Sequence, residues 1–164
     1  MSDWSRRSFF IALAALLALT GVALAQPQRT EQRVTFPTSE LTIESGGKRH
    51  RFTIELADTD ERRTLGLMYR TTMAADAGML FDFKVDRPVT MWMRNTRIPL
   101  DMLFITREGR VLNIAQRTVP FTEHSIPSDG PVRAVLELNG GTAERLGLKA
   151  GDRVIHPMFR GGQS

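Results

Sequence analysis

From residue 41 onward, apolar and polar residues alternate in short runs separated by turn-forming residues, the period-two pattern of strands with one face buried. Leu41-Thr42-Ile43 and the set Phe52, Ile54 and Leu56 lie on either side of Gly46-Gly47, which predicts a hairpin. Asp58, with Glu61 three residues on, matches a capping box and predicts a short helix running through Met68. Met79–Phe83 and Val89–Arg94 read as two strands, and Asn95–Pro99 connects them to a third, Leu100–Thr106. Glu108-Gly109 turns the chain into Arg110–Val119. Pro120, Pro127, Asp129, Gly130 and Pro131 mark a long loop before a strand at Val132–Leu138. A second helix is expected at Ala143–Leu146 and a last strand at Arg153–His156. About eight short strands with one or two short helices predict a mainly β fold. It would be a single compact β-sandwich or barrel-like domain over residues 40–158, with residues 159–164 as a tail.

The start of the chain breaks this pattern. Arg6 and Arg7 precede an apolar run from Phe9 to Leu24, and Ala23-Leu24-Ala25 places small residues where a signal peptidase reads them. Residues 1–25 therefore read as a cleaved signal peptide, with export to the periplasm or beyond. Ser5-Arg6-Arg7-Ser8-Phe9-Phe10 resembles a twin-arginine signal, and an ordinary secretory signal fits equally well. The run is 16 residues, short of the roughly 20 that cross a bilayer core, so no transmembrane anchor is expected after cleavage. Residues 26–39 are polar with Pro27 and Pro37 and read as a flexible linker. The rest is one domain's worth of chain.

The chain of 164 residues has a formal net charge of +4 and no cysteine. Disulfides and thiolate metal sites are thereby excluded, even in an oxidising compartment. The mild basicity permits loose contact with anionic surfaces, and nucleic acid is not an expected partner of an exported chain.

One set of motifs is specific. Gly66-Leu67-Met68-Tyr69-Arg70, Gly78-Met79-Leu80-Phe81, Met91-Trp92-Met93-Arg94-Asn95-Thr96 and Ile98-Pro99-Leu100-Asp101 resemble the family called domain of unknown function 192. Val135-Leu136-Glu137-Leu138 and Gly151-Asp152 fit the same pattern, so the resemblance covers roughly residues 40–156. It implies a mainly β, sandwich-like fold and brings no activity or site residue with it.

The candidate chemistry centres on the Met91–Thr96 block. Trp92, Arg94, Asn95 and Thr96 end a strand and begin a connection, where binding groups are commonly presented, and Asp101 follows soon after. Arg94 with Arg97 has the guanidinium forks that grip a carboxylate or phosphate. The competing reading is a polar cluster that only fixes the turn. Met91 and Met93 share one face of a strand, and two thioethers with His124 or His50 would suit Cu(I), covered by the Trp92 ring. Methionine as a filler of irregular cores explains the same residues. His50, His124 and His156 lack zinc-ligand spacing, and the Glu123-His124 loop has no nucleophile elbow. Glu137 stands in an apolar strand, outward by alternation or inward towards Arg94.

The sequence thus predicts a non-catalytic ligand- or partner-binding protein of the cell envelope, with no cofactor. Its binding residues would be Trp92, Arg94, Asn95, Thr96 and Asp101. One alternative is a copper-binding protein using Met91, Met93 and His124. Another is a glycan-acting enzyme with its acid and base drawn from Asp101, Glu123 and Glu137, which would need two carboxylates about 5–9 Å apart across a groove.

Overall fold

A computed structural model describes residues 34–162. The predicted signal peptide and most of the predicted linker lie outside the described residues. Seven strands, β1 (Thr38–Ser45), β2 (Lys48–Ala57), β3 (Ala77–Met91), β4 (Leu100–Ile105), β5 (Val111–Thr118), β6 (Ile126–Asn139) and β7 (Arg153–Ile155), form one sheet in the order β5-β4-β6-β3-β2-β1-β7. The class is mainly β, with two short helices, α1 (Asp60–Leu65) and α2 (Thr142–Leu146), and a 3-10 helix at Pro157–Gly162. The sheet is curled into a half-barrel.

The curl brings the two edges together at one corner. Val111 N–H donates to Asp152 O at 2.9 Å, Gly151 N–H to Val111 O at 2.8 Å, and Val154 N–H to Gly109 O at 2.7 Å. These bonds satisfy donors that free edge strands would leave open. Gly109 permits the approach: its φ is 74°, and a Cβ there would stand 2.6 Å from Val154 O.

The predicted hairpin is β1–β2, with Leu41 opposite Phe52 and Ile43 opposite His50. Four details differ from the pattern read along the chain. Thr59, not Asp58, caps α1, its hydroxyl accepting from Arg62 N at 3.2 Å. Asp58 instead pairs with the Arg62 side chain at 2.6 Å. The two strands expected between Met79 and Arg94 are one bent strand, β3, with register shifts against β6 where Lys84 takes φ 67°. Pro127 and Pro131 do not confine their segment to a loop, because β6 begins at Ile126 and they fall at the bend, opposite Thr90 and Pro88. Phe159, assigned by sequence to the tail, is buried in the core.

β2 and β3 pair in parallel, joined through α1, while every other pair is antiparallel. This crossover lays α1 and residues 66–76 over the outside of the sheet. Two hydrophobic clusters result. Leu80, Leu103, Leu136 and Leu138 face the concave side with β1, β2 and α2. Met79, Phe81, Met102, Phe104 and Val135 face the other side, under Leu67, Met93 and Val89. The central strands β3, β4 and β6 are therefore covered on both faces, which explains why β4 is buried at all six positions.

Candidate functional site

Three connections meet over the second cluster: residues 66–76 after α1, residues 92–99 between β3 and β4, and residues 119–125 between β5 and β6. Backbone bonds tie them together. Tyr69 N–H donates to Asn95 O at 2.9 Å, Phe121 N–H to Thr96 O at 3.2 Å, and Met93 N–H to Thr122 O at 3.0 Å. One non-glycine residue in each connection is held at positive φ: Tyr69 at φ 66°, Asn95 at φ 55° and Phe121 at φ 61°. Asparagine tolerates this conformation, but the aromatic residues are strained there. The Asn95 side-chain amide donates to the Tyr69 hydroxyl at 3.1 Å, which locks two of the three together.

The same connections hold large apolar side chains in solvent. Tyr69 is 59% exposed, Trp92 51% and Phe121 64%. Val119 beside them is also exposed. Clustered exposed aromatics on a rigid frame mark interaction surfaces.

Beneath this surface sits Glu137, on β6 and 4% exposed. Its strand neighbours are Met79 on β3 and Met102 on β4, both fully buried. Among the described residues it has no hydrogen bond or ion pair. Burial alone pushes its carboxyl pKa up to about 8, so it is a neutral acid at pH 7, able to donate as well as accept. It lines a cavity of about 30 Å³ with Leu67, Phe81, Trp92 and Arg94, room for one small polar group. A shallow groove of about 350 Å³ adjoins it, sharing Arg63, Phe81, Met91 and Trp92 and adding Phe83 and Arg87. Gly66 lets the chain turn off α1 over this site. It has φ 49°, and a Cβ there would meet the Phe81 ring at 3.0 Å.

The predicted binding residues divide. Trp92 and Arg94 stand together at the cavity mouth, the guanidinium 5.8 Å from the Trp92 ring centroid and 3.7 Å from the Glu123 carboxylate. Asn95 and the buried Thr96 hold the connections in place, the Thr96 hydroxyl donating to Arg94 O at 3.3 Å. Asp101 is not with them. It is fully buried on the other face of the sheet and accepts three backbone N–H bonds, from Arg117 at 2.8 Å, Gly141 at 3.0 Å and Ala143 at 2.7 Å. It anchors β5 and the start of α2 to β4, a structural role where the sequence predicts binding.

The residues of the copper reading are not alike either. Met93 is fully buried, its sulfur 3.1 Å from the Thr118 hydroxyl. Met91 lies half-buried at the groove, and His124 is exposed in the loop. His50 is on β2, with its Nε2 buried and unpartnered among the described residues. No group of three or more His, Asp or Glu among the described residues is placed to hold a metal ion. Of the three acids in the enzyme reading, Asp101 faces away, Glu123 is exposed and Glu137 is buried. Tyr69, Phe121 and Arg63 were not singled out as site residues by sequence. For Phe121 the available signal is a bulky aromatic in a mostly polar connection; Tyr69 stands among Leu67, Met68 and Met73 and carries no such signal.

A family model, described as DUF192, Uncharacterized ACR, matches residues 41–156. The chain belongs to this family. Two solved structures resemble the DUF192 domain closely. One, from Sinorhizobium meliloti 1021 and described as "a putative transcription regulator", is 48% identical with a TM-score of 0.73, over 74% of this chain and 95% of that one. The other, "a protein of unknown function" from Novosphingobium aromaticivorans DSM 12444, is 45% identical with a TM-score of 0.70, over 73% and 85%. No curated protein matches the chain. Among the described residues of the DUF192 domain, no helix is long and apolar enough to cross a membrane.

Proposed function

We propose that the protein is exported and serves in the cell envelope as a non-catalytic binding module. Its binding end is the three-connection surface around Trp92 and Arg94. The observation that carries this reading is the strain of Tyr69 and Phe121, both held at positive φ in connections that backbone bonds tie to the Asn95-Thr96 segment, while their side chains stay in solvent. Left-handed non-glycine residues cost about 1–3 kcal/mol each. Two strained aromatics kept at one end with their side chains in solvent support a role for what that end presents. The export signal supports the location, and nucleic acid is left out of the partners on that ground.

Protein expressed from the full-length gene tests both parts. N-terminal sequencing of the envelope fraction should find a chain beginning at Gln26; a chain retained in the cytoplasm would refute the export step. The same protein is then heated with small acids, amines, alcohols, phosphate and glycan fragments. A ligand at about 100 times its Kd adds about 2.7 kcal/mol and moves the melting midpoint by several degrees. That shift should vanish in Trp92→Ala. A panel that moves nothing, or a shift that survives Trp92→Ala, counts against this surface.

A further inference from the structure

The groove beside Glu137 has a definite chemical character, and the inference drawn from it rests on the binding reading above. Its walls are apolar: Phe81, Phe83, Met91 and Trp92. Its charged groups are mostly cations. Arg87 stands 5.0 Å from the Phe83 ring centroid and has no carboxylate partner among the described residues. Arg94 lies over Trp92, and its contact with Glu123 is long and exposed on both sides, worth little and readily exchanged. Arg63 is already engaged, with the Asp82 carbonyl at 2.6 Å and with Asp60. Asp60 is the one acid on the groove wall, and Arg63 neutralises it.

The groups facing Glu137 from each packed element add to this balance. α1 contributes Arg63 and the 92–99 connection contributes Arg94. β3 and β4 contribute Met79, Phe81 and Met102, which carry no charge. Two arginines and a carboxyl group with no partner among the described residues thus line a cavity sized for one polar head, beside a groove sized for a small apolar body.

We infer that this groove binds a small organic acid with an apolar body, its carboxylate taken by Arg94 and the Glu137 carboxyl group and its body laid along Phe83, Met91 and Trp92. A carboxylate here gains a charge-assisted bond from Arg94 and an O–H bond from Glu137. An ammonium group would meet the positive charges of Arg63 and Arg94, and the protonated Glu137 would offer it only a neutral carbonyl acceptor. The carboxylate of the ligand and an ionised Glu137 repel each other, so binding depends on the protonated form.

Three probes with one apolar body and different heads decide the matter: phenylacetate, 2-phenylethanol and phenethylammonium. Each is titrated into protein made from the full-length gene while the Trp92 indole N–H resonance is followed, the resonance being identified by its loss in Trp92→Phe. Phenylacetate should bind near pH 6 and the other two should not. Near pH 9.5 its affinity should fall by at least about tenfold, because little competent protein remains. In Glu137→Gln the ratio of affinities between the two pH values should collapse towards one. Arg94→Gln, an exposed substitution that leaves the core alone, should lose at least about tenfold at pH 6.

Equal affinity at both pH values in the unsubstituted protein overturns the role given to Glu137. Tighter binding of the alcohol or the amine overturns the assignment of an acid while leaving a binding site at Trp92 intact. If none of the three binds, the acid assignment fails, and the wider binding reading is judged on the thermal panel.

Discussion

Asp101 on β4 and Glu137 on β6 are buried acids on neighbouring strands, one register step apart, and they face opposite sides of the sheet. The Asp101 carboxylate is saturated by three backbone donors that fasten β5 and α2 in place. Among the described residues Glu137 has no partner; it lines a cavity, and burial raises its pKa to about 8. A third buried acid, Asp82, shows what a paired charge does. Burial works against its ionised form, yet bonds from Lys84 and Arg133 outweigh it and hold the pKa below the ordinary value. Asp101 and Asp82 are satisfied by the fold itself. Glu137 is not satisfied in this way among the described residues, and a buried polar group without a partner is a standing cost unless a ligand or water answers it.

The comparison can be broken first at Asp101. Asp101→Ala leaves three backbone N–H groups without their acceptor and should cost about 3–5 kcal/mol by urea denaturation, with Asp101→Asn nearer 1–2. A loss below about 1 kcal/mol for the alanine variant would mean the carboxylate is not what holds α2.

Glu137 should behave in the opposite sense. Its folded pKa, about 8, lies above the unfolded value, so between the two the unfolded chain releases a proton that the folded chain keeps. Stability is therefore full below about pH 4.3 and falls as pH rises through 8, by up to about 1.4 kcal/mol per unit. Glu137→Gln removes this slope. The variant should match the unsubstituted protein near pH 4 and exceed it by up to about 3 kcal/mol near pH 7. Parallel pH profiles would show that Glu137 ionises in an ordinary environment.

Asp82 sharpens the contrast on the acid side. Its folded pKa is lowered, so its contribution is present above the unfolded value near 3.8 and lost as pH falls through the folded one. Arg133→Gln removes the bonds at 2.8–3.1 Å and should cost about 1–2 kcal/mol near pH 7, shrinking towards zero in strong acid. Lys84, at 2.9 Å, keeps the loss from being larger.

The smallest effect belongs to the strained surface. Phe121→Gly relieves a left-handed φ of 61° on a side chain 64% exposed. A net gain of about 0.5 kcal/mol is expected, the strain relieved exceeding the added freedom of the unfolded chain. Binding to the surface should weaken at the same time. A stability gain without any loss of binding would show that Phe121 is bystander to the site.

The strand pattern was legible because alternation and turn residues are local. Gly46-Gly47 closes the β1–β2 hairpin as read, and the Met91–Thr96 block does sit where a strand gives way to a connection. The pattern predicts a break within β3, whereas Lys84 and the bulged register bend the strand without ending it. Pro127 and Pro131 were read as loop residues, yet they lie at the irregular outer end of β6, where missing donors are tolerated. Asp101 is near Arg94 in sequence, yet the chain turns between them and presents the carboxylate to the opposite face.

Sequence alone determined the mainly β class and the family, since each depends on short-range pattern. Tertiary structure decided the curl of the sheet, the parallel β2–β3 step and the different fates of Asp101 and Glu137. Alternation says which residues share a face, but not what covers that face. On β4 and β6 both faces are covered, and only the placement of the 66–76 and 92–99 connections over one of them leaves Glu137 buried beside a cavity, with no partner among the described residues.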